Sequence, residues 1–454
     1  MSGHEASGGE SRPTLGEGPA RQAGPTCSRS RETSDLNCPD LNSHEFSYGG
    51  GGVGVTAWGD SLRMGLLFYF LTSLVPVLGV VVGHDFFRPS AYTLGKPADI
   101  GDAFARWDGK WYREIVEEGY KYDPQRPSSV AFFPAFPLLG IGMAWITGYR
   151  ADLALVVAAH LSLAAAFVVL AAYVRRRYTE IRHGFAGFVL LAFGLFPTTF
   201  FFRMAYSESL FLLCSILAIY AMEKHWPIVV VAGLVGLTTA TRPVGVALLP
   251  VLLLYLWRRS PTLRGFVVRG LVLGPLSCWG LAGYMVYLGM VFGDPLAFAH
   301  TQSHWRMRPA ASWQEHVQAL ATLEPVRSIY DPDSPCYWQR MAGDANALFN
   351  LDFLNPIYFF FTLSLLLAGM WKRQLTRYEW VLSAGLLLIP YVTRSHEMCM
   401  GAMGRFAAAA WPLYLVLGHQ LRRLPPELAA ALLALSGFFL ASYAALFAAG
   451  YRFF

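Results

Sequence analysis

Polar and apolar residues alternate along this chain in long blocks rather than in the short periods of a soluble amphipathic fold. From Leu62 onward, apolar stretches recur at 62–83, 151–174, 185–203, 205–222, 227–241, 243–257, 266–291, 347–370, 379–394, 405–420 and 427–448. Several approach the roughly 20 helical residues that cross a bilayer. The pattern predicts an all-α polytopic membrane protein of about 11 spans. The segment VVVGHD at the end of the first stretch lacks the small-residue pattern of a signal-peptidase site, so residues 62–83 are expected to remain as the first span. A twelfth apolar stretch, 131–148, follows two prolines and reads as re-entrant or interfacial.

Residues 1–60 follow a different pattern, rich in Gly, Ser, Pro, Arg and Glu and ending near GGGGVG. Such a composition cannot bury enough apolar surface to fold alone. It is expected to be a disordered cytoplasmic tail, and because Met64 opens the apolar run, it also reads as an over-long start. The body of the protein is then 61–454, with polar loops at about 84–150 and 293–345 carrying short interfacial helices.

Composition agrees with a membrane protein: 54% of residues are hydrophobic and only 15% charged, with a mean hydropathy of +0.38. The net charge of +6 matters less than where the cations fall. RRRYTEIR at Arg175 to Arg182, RRSPTLR at Arg258 to Arg264, KRQLTR at Lys372 to Arg377, and Arg422 with Arg423 all fall on one side if 131–148 does not cross. Positive loops face the cytoplasm. The two long polar loops are then extracytoplasmic.

The first of those loops holds FARWDGKWYREIVEEGYKYDPQRPSSVAFFPAFP, residues 104–137. A helix from about Ala103 to Glu118 would set Phe104, Asp108, Trp111, Tyr112 and Ile115 on one face, placing a carboxylate among aromatic rings at the membrane interface. Asp108 has two readings, as the N-cap of a shorter helix from Gly109 to Glu118 or as a functional acid.

The run RWDGKWYREIVEEGY followed by AFFPAFP resembles the first extracytoplasmic loop of the second GPI mannosyltransferase (PIG-V) family and its bacterial relatives. YSESLF at Tyr206 to Phe211, TRPVG at Thr241 to Gly245, FGDPLAF at Phe292 to Phe298 and GRF at Gly404 to Phe406 follow in order, and the WY form of the first motif is similar to bacterial members. The resemblance implies a GT-C-like helix bundle that takes a hexose, mannose in the family, from a polyprenyl or dolichyl phosphate. It also implies an essential acid in the first loop. All these pieces fall on the extracytoplasmic side of the expected topology. No glycine-rich nucleotide loop or internal repeat is visible.

Such a transfer needs a base for the acceptor hydroxyl and cations for the departing phosphate. Asp108 is the candidate base and Glu208 the second catalytic acid, the latter also readable as a first-turn charge on its helix. Arg405, Arg242, His304 and Arg306 are candidates for the donor phosphate, set against the ordinary role of an arginine that snorkels toward lipid headgroups. Arg106, Trp107, Trp111 and Tyr112 would support the site. Trp305, Trp313, Tyr330, Tyr337 and Trp338 in the second loop suit either sugar stacking or the membrane interface. No motif assigns a cofactor, and a divalent metal stays open with at most a partial site in Asp108 with Glu208. Of six cysteines, only Cys336 and Cys399 share the oxidising side, as a disulfide or as free thiols.

The expected partners are a polyprenyl phosphate sugar, a lipid-linked or glycan acceptor and membrane lipids, with no nucleic acid. The expected location is a bacterial cell membrane with an extracytoplasmic site, or the endoplasmic reticulum in a eukaryote. A secondary transporter or a non-catalytic lipid-binding subunit is the alternative. A transporter would place charges at mid-membrane between repeats, whereas here they cluster at helix ends.

Overall fold

The structure, a computed structural model, describes residues 54–89, 95–179, 184–342 and 346–451. Most of the expected tail, residues 1–53, lies outside the described residues, and the first helix begins at Gly54. Every regular element among the described residues is helical. Among the described residues, four helices are long and apolar enough to cross a membrane: the first from Trp58 to Phe86, then Ala151–Arg177, Leu351–Trp371 and Pro426–Ala448. Two bent pairs raise this to six, Phe185–Gly194 with Pro197–Arg203 at 79° and Leu263–Ser277 with Trp279–Phe292 at 51°. The other expected stretches are helical but shorter, as in Glu208–Glu223, Ile228–Thr241 and Arg377–Arg394. Ala135–Thr147, at 13 residues, is about 20 Å long and too short to cross the ~30 Å hydrocarbon core alone.

Close packing rests on small residues. A Cβ added at Gly79 would lie 2.3 Å from the Ala441 carbonyl oxygen, and one at Gly83 would lie 2.0 Å from that of Ala445. Two glycines four apart thus let the first helix touch the backbone of Pro426–Ala448, as small-residue pairs do in lipid. The bend after Gly194 is held by Arg203, which is fully buried. Its guanidinium donates to the Gly194 and Thr199 carbonyls at 3.1 and 3.0 Å, supplying donors that the broken helix no longer provides. The chain then turns into the segment Ala205 to Glu208.

Charged residues gather at one end of the bundle. Arg175 pairs with Asp60 at 2.9 Å, Arg177 pairs with Glu379, and Arg258 lies over the Tyr378 ring. Three of the basic clusters therefore meet where Arg377–Arg394 begins. That helix ends, about 27 Å away by its 18 residues, at the cavity described next.

Candidate active site

The expected continuous helix from Ala103 to Glu118 is broken in two, Ile100–Phe104 and Asp108–Glu118. Between them Trp107 takes φ 55°, ψ −118°, a backbone state that costs a bulky residue free energy and persists only where its surroundings impose it. Those surroundings are the later YSES segment. The Ala205 N–H donates to the Phe104 carbonyl at 3.1 Å. The Asp108 N–H donates to the Tyr206 hydroxyl at 3.1 Å, and that hydroxyl donates to the Arg106 carbonyl at 3.2 Å. Backbone groups freed by the break thus find partners a hundred residues downstream. The cap reading of Asp108 is also corrected: Trp107 holds the cap position and no side chain caps this helix.

Asp108 instead joins an ion network. Arg405 donates through Nη1 to Asp108 Oδ2 at 2.5 Å and through Nε to Glu208 Oε1, and Arg242 Nη1 pairs with the same Glu208 oxygen. Each residue reaches this point from a different helix end. Asp108 and Glu208 open their helices, Arg242 follows Ile228–Thr241, and Arg405 lies in Met403–Ala408. The GRF motif has a local reason at each residue. The Gly404 N–H donates to Asn355 Oδ1 at 2.8 Å, where a Cβ would sit only 3.0 Å from that oxygen. Arg405 bridges the acids with its guanidinium over the Tyr206 ring, and Phe406 lies beneath Arg242.

The two carboxylates are not equivalent. The Glu208 side chain is 0% exposed and Asp108 21%. Asp108 lines a cavity of about 1400 Å³ together with Arg405, Arg242, Arg394, Lys110 and the rings of Trp107, Trp111, Phe132, Phe133 and Trp305. Partial burial lowers the Lys110 pKa. Trp111 stacks on Phe132 with Trp305 at its edge, so these rings wall the cavity. Tyr112, expected on an interfacial face, is buried and donates to Ser207 Oγ at 2.8 Å.

Other residues singled out in the sequence lie elsewhere. Arg106 is buried and donates to the Gly95 carbonyl. His304 meets the Pro124 carbonyl at 3.0 Å, and Arg306 pairs with Glu397 at 2.6 Å; neither lines the cavity. The FGDP segment braces the first loop. Asp294 accepts from the Tyr122 hydroxyl at 2.9 Å and meets His300 at 2.8 Å, and the His300 contact holds its carboxyl below the usual range. Cys336 and Cys399 form a disulfide. It ties the second loop to the segment before Met403–Ala408, where Cys399, Met400 and Ala402 all have positive φ.

The acids offer a metal little. Arg405 stands between Asp108 and Glu208, and among the described residues no group of three or more His, Cys, Asp or Glu could hold an ion. Arg394, Lys110 and Glu114 are charged cavity residues that sequence reasoning missed. At the end of an apolar stretch Arg394 looks like any snorkelling arginine, and only its place on the cavity wall separates it.

No curated protein and no solved structure matches the chain. Residues 99–255, which carry Asp108, Glu208 and Arg242, match the family described as mannosyltransferase (PIG-V), so over this segment the chain is similar to that family, and its long apolar helices are those of a multi-pass membrane protein.

Proposed function

We propose that the protein is a GT-C-type mannosyltransferase that moves mannose from a polyprenyl phosphate donor to a lipid-linked or glycan acceptor on the extracytoplasmic face of a bacterial membrane. The family match supports the transferase class. The observation that carries the mechanism is the partly exposed Asp108 carboxylate facing a large cavity, with Glu208 wholly buried behind it. Of these two acids, Asp108 alone lines the cavity and can meet an acceptor hydroxyl. In the reaction, that hydroxyl loses its proton to Asp108 as its oxygen bonds to the sugar C1. The bond from C1 to the phosphate oxygen breaks, and polyprenyl phosphate departs with the electron pair and one more negative charge. Solvent then takes the proton from Asp108. Arg405 aims the carboxylate, and Glu208 aims Arg405 and Arg242, so proximity is built into the network. The cations also favour the charge that develops on the leaving phosphate.

The test is purified protein with labelled mannosyl phosphoryl polyprenol and extracted native lipids, comparing wild type with Asp108→Asn. Asn still accepts from Arg405 through its amide oxygen but cannot take the proton. Turnover should fall about a hundredfold or more, while the fold is kept: the residue caps nothing, and its lost charge on Arg405 is partly offset because Asp108 is partly exposed and the Asn amide oxygen still accepts from Arg405. A stable Asn variant with full turnover would remove Asp108 as the base, and a wild type that makes no mannosylated product would sink the whole reading.

A further inference from the structure

The charges of the cavity do not cancel once their pairs are counted. Asp108 and Glu208 are matched by Arg405 and Arg242, and Glu114 is drawn to Lys121 at 3.2 Å. Arg394 and Lys110 remain on the cavity wall, and neither side chain makes a hydrogen bond or ion pair to any of the described residues. Arg394 shares that wall with Arg405, Arg242 and Lys110, and the nearby Glu397 is already held by Arg306. A half-buried guanidinium among other cations is unfavourable unless an anion visits it.

What lies beside Arg394 says which anion. Ile389 and Pro390, about one turn back along the same helix, also line the cavity. An arginine above an apolar strip suits a phosphate esterified to a hydrocarbon chain better than a free ion. We infer that Arg394 grips the phosphate of the polyprenyl donor, whose chain runs over Ile389 and Pro390, while Arg405 and Arg242 chiefly hold the Asp108 and Glu208 carboxylates. The inference rests on the donor class proposed above. A plain structural role exists for this residue too, since a cation in the last turn complements the helix dipole. Lysine would keep that role and lose the planar fork that grips a phosphate.

The experiment uses the full chain in lipid nanodiscs. Intrinsic tryptophan fluorescence, to which Trp107, Trp111 and Trp305 on the cavity wall contribute, is titrated with polyprenyl phosphate, polyprenol, phosphatidylglycerol and inorganic phosphate. Wild type should bind polyprenyl phosphate more tightly than polyprenol or phosphatidylglycerol, with inorganic phosphate weakest. Arg394→Ala and Arg394→Gln should weaken polyprenyl phosphate roughly thirtyfold or more and leave polyprenol unchanged. Arg394→Lys, monitored for thermal stability, should still lose several-fold, and it carries the test if the neutral variants do not fold. If all three bind polyprenyl phosphate as wild type does, or if the loss appears in Lys110→Ala instead, the assignment of Arg394 is overturned while the donor class stands. A wild type that treats polyprenyl phosphate and polyprenol alike overturns both, and equal binding of phosphatidylglycerol shows a general headgroup site and overturns this one.

Discussion

Asp108 and Glu208 carry the same chemical group and share one arginine, yet burial gives them different parts to play. Because Glu208 is fully enclosed and paired with two guanidiniums, Glu208→Gln should leave two largely buried cations short of a counter-charge. Loss of one partner in such a group costs about 3–5 kcal/mol. Detergent-solubilised Glu208→Gln should therefore unfold at markedly lower temperature than wild type, and Asp108→Asn, whose carboxylate is partly exposed and pairs with one arginine rather than two, should lose less. Equal melting of the two variants would mean that Glu208 is not the keystone of the network. The motifs made Asp108, Glu208, Arg242 and Arg405 legible one by one in the sequence. Their convergence was not, because the Arg405 to Asp108 contact joins residues 297 positions apart and no local pattern encodes it. Arg306 shows the converse error: a cation in the right loop whose charge is spent on Glu397, outside the cavity.

Spacing read the first loop as one helix because residues 104, 108, 111, 112 and 115 share a face in any uninterrupted helix. Nothing between Ala103 and Glu118 forces the break; it is imposed by the backbone and tyrosine of residues 205–206. The same dependence on a distant segment governs the element carrying Arg405. Met403–Ala408 has only six residues and follows a turn with three non-glycine residues at positive φ, so its position owes much to what anchors that turn. The Cys336–Cys399 bond closes a loop across a sequence separation of 63, and a bond of this kind contributes about 2–4 kcal/mol. Cys336→Ser with Cys399→Ser should lower the melting temperature and also reduce turnover, through looser placement of Arg405. Retained turnover at a lowered melting temperature would confine the disulfide to stability and leave Arg405 held by Asn355 and the acids alone.

At the scale of the whole molecule, the apolar blocks gave the helices and their order, but length alone gives only four to six crossings. The eleven expected need the shorter helices to cross as well, which depends on how bends and neighbours share the bilayer rather than on local hydropathy. The proposed reaction also sets the sidedness. The basic clusters meet around the start of Arg377–Arg394, and Arg394 at its other end lines the cavity; on the positive-inside rule the first end would face the cytoplasm and the cavity the outside. The disulfide near the cavity agrees, since such bonds persist on the oxidising side. Single cysteines introduced at Gln125 and Ser312, both exposed, should react with a membrane-impermeant maleimide added to intact cells. The background is a chain lacking Cys27, Cys38, Cys214 and Cys278, with the disulfide kept. Cysteines at Thr179 and Arg373, exposed at the opposite end, should react only after the membrane is opened. The reverse pattern would put the cavity in the cytoplasm, where a nucleotide sugar is the available donor, and would exclude the polyprenyl phosphate reaction together with the role given to Arg394. Labelling of all four positions from outside would instead break the link between the basic clusters and the cytoplasm on which this orientation rests.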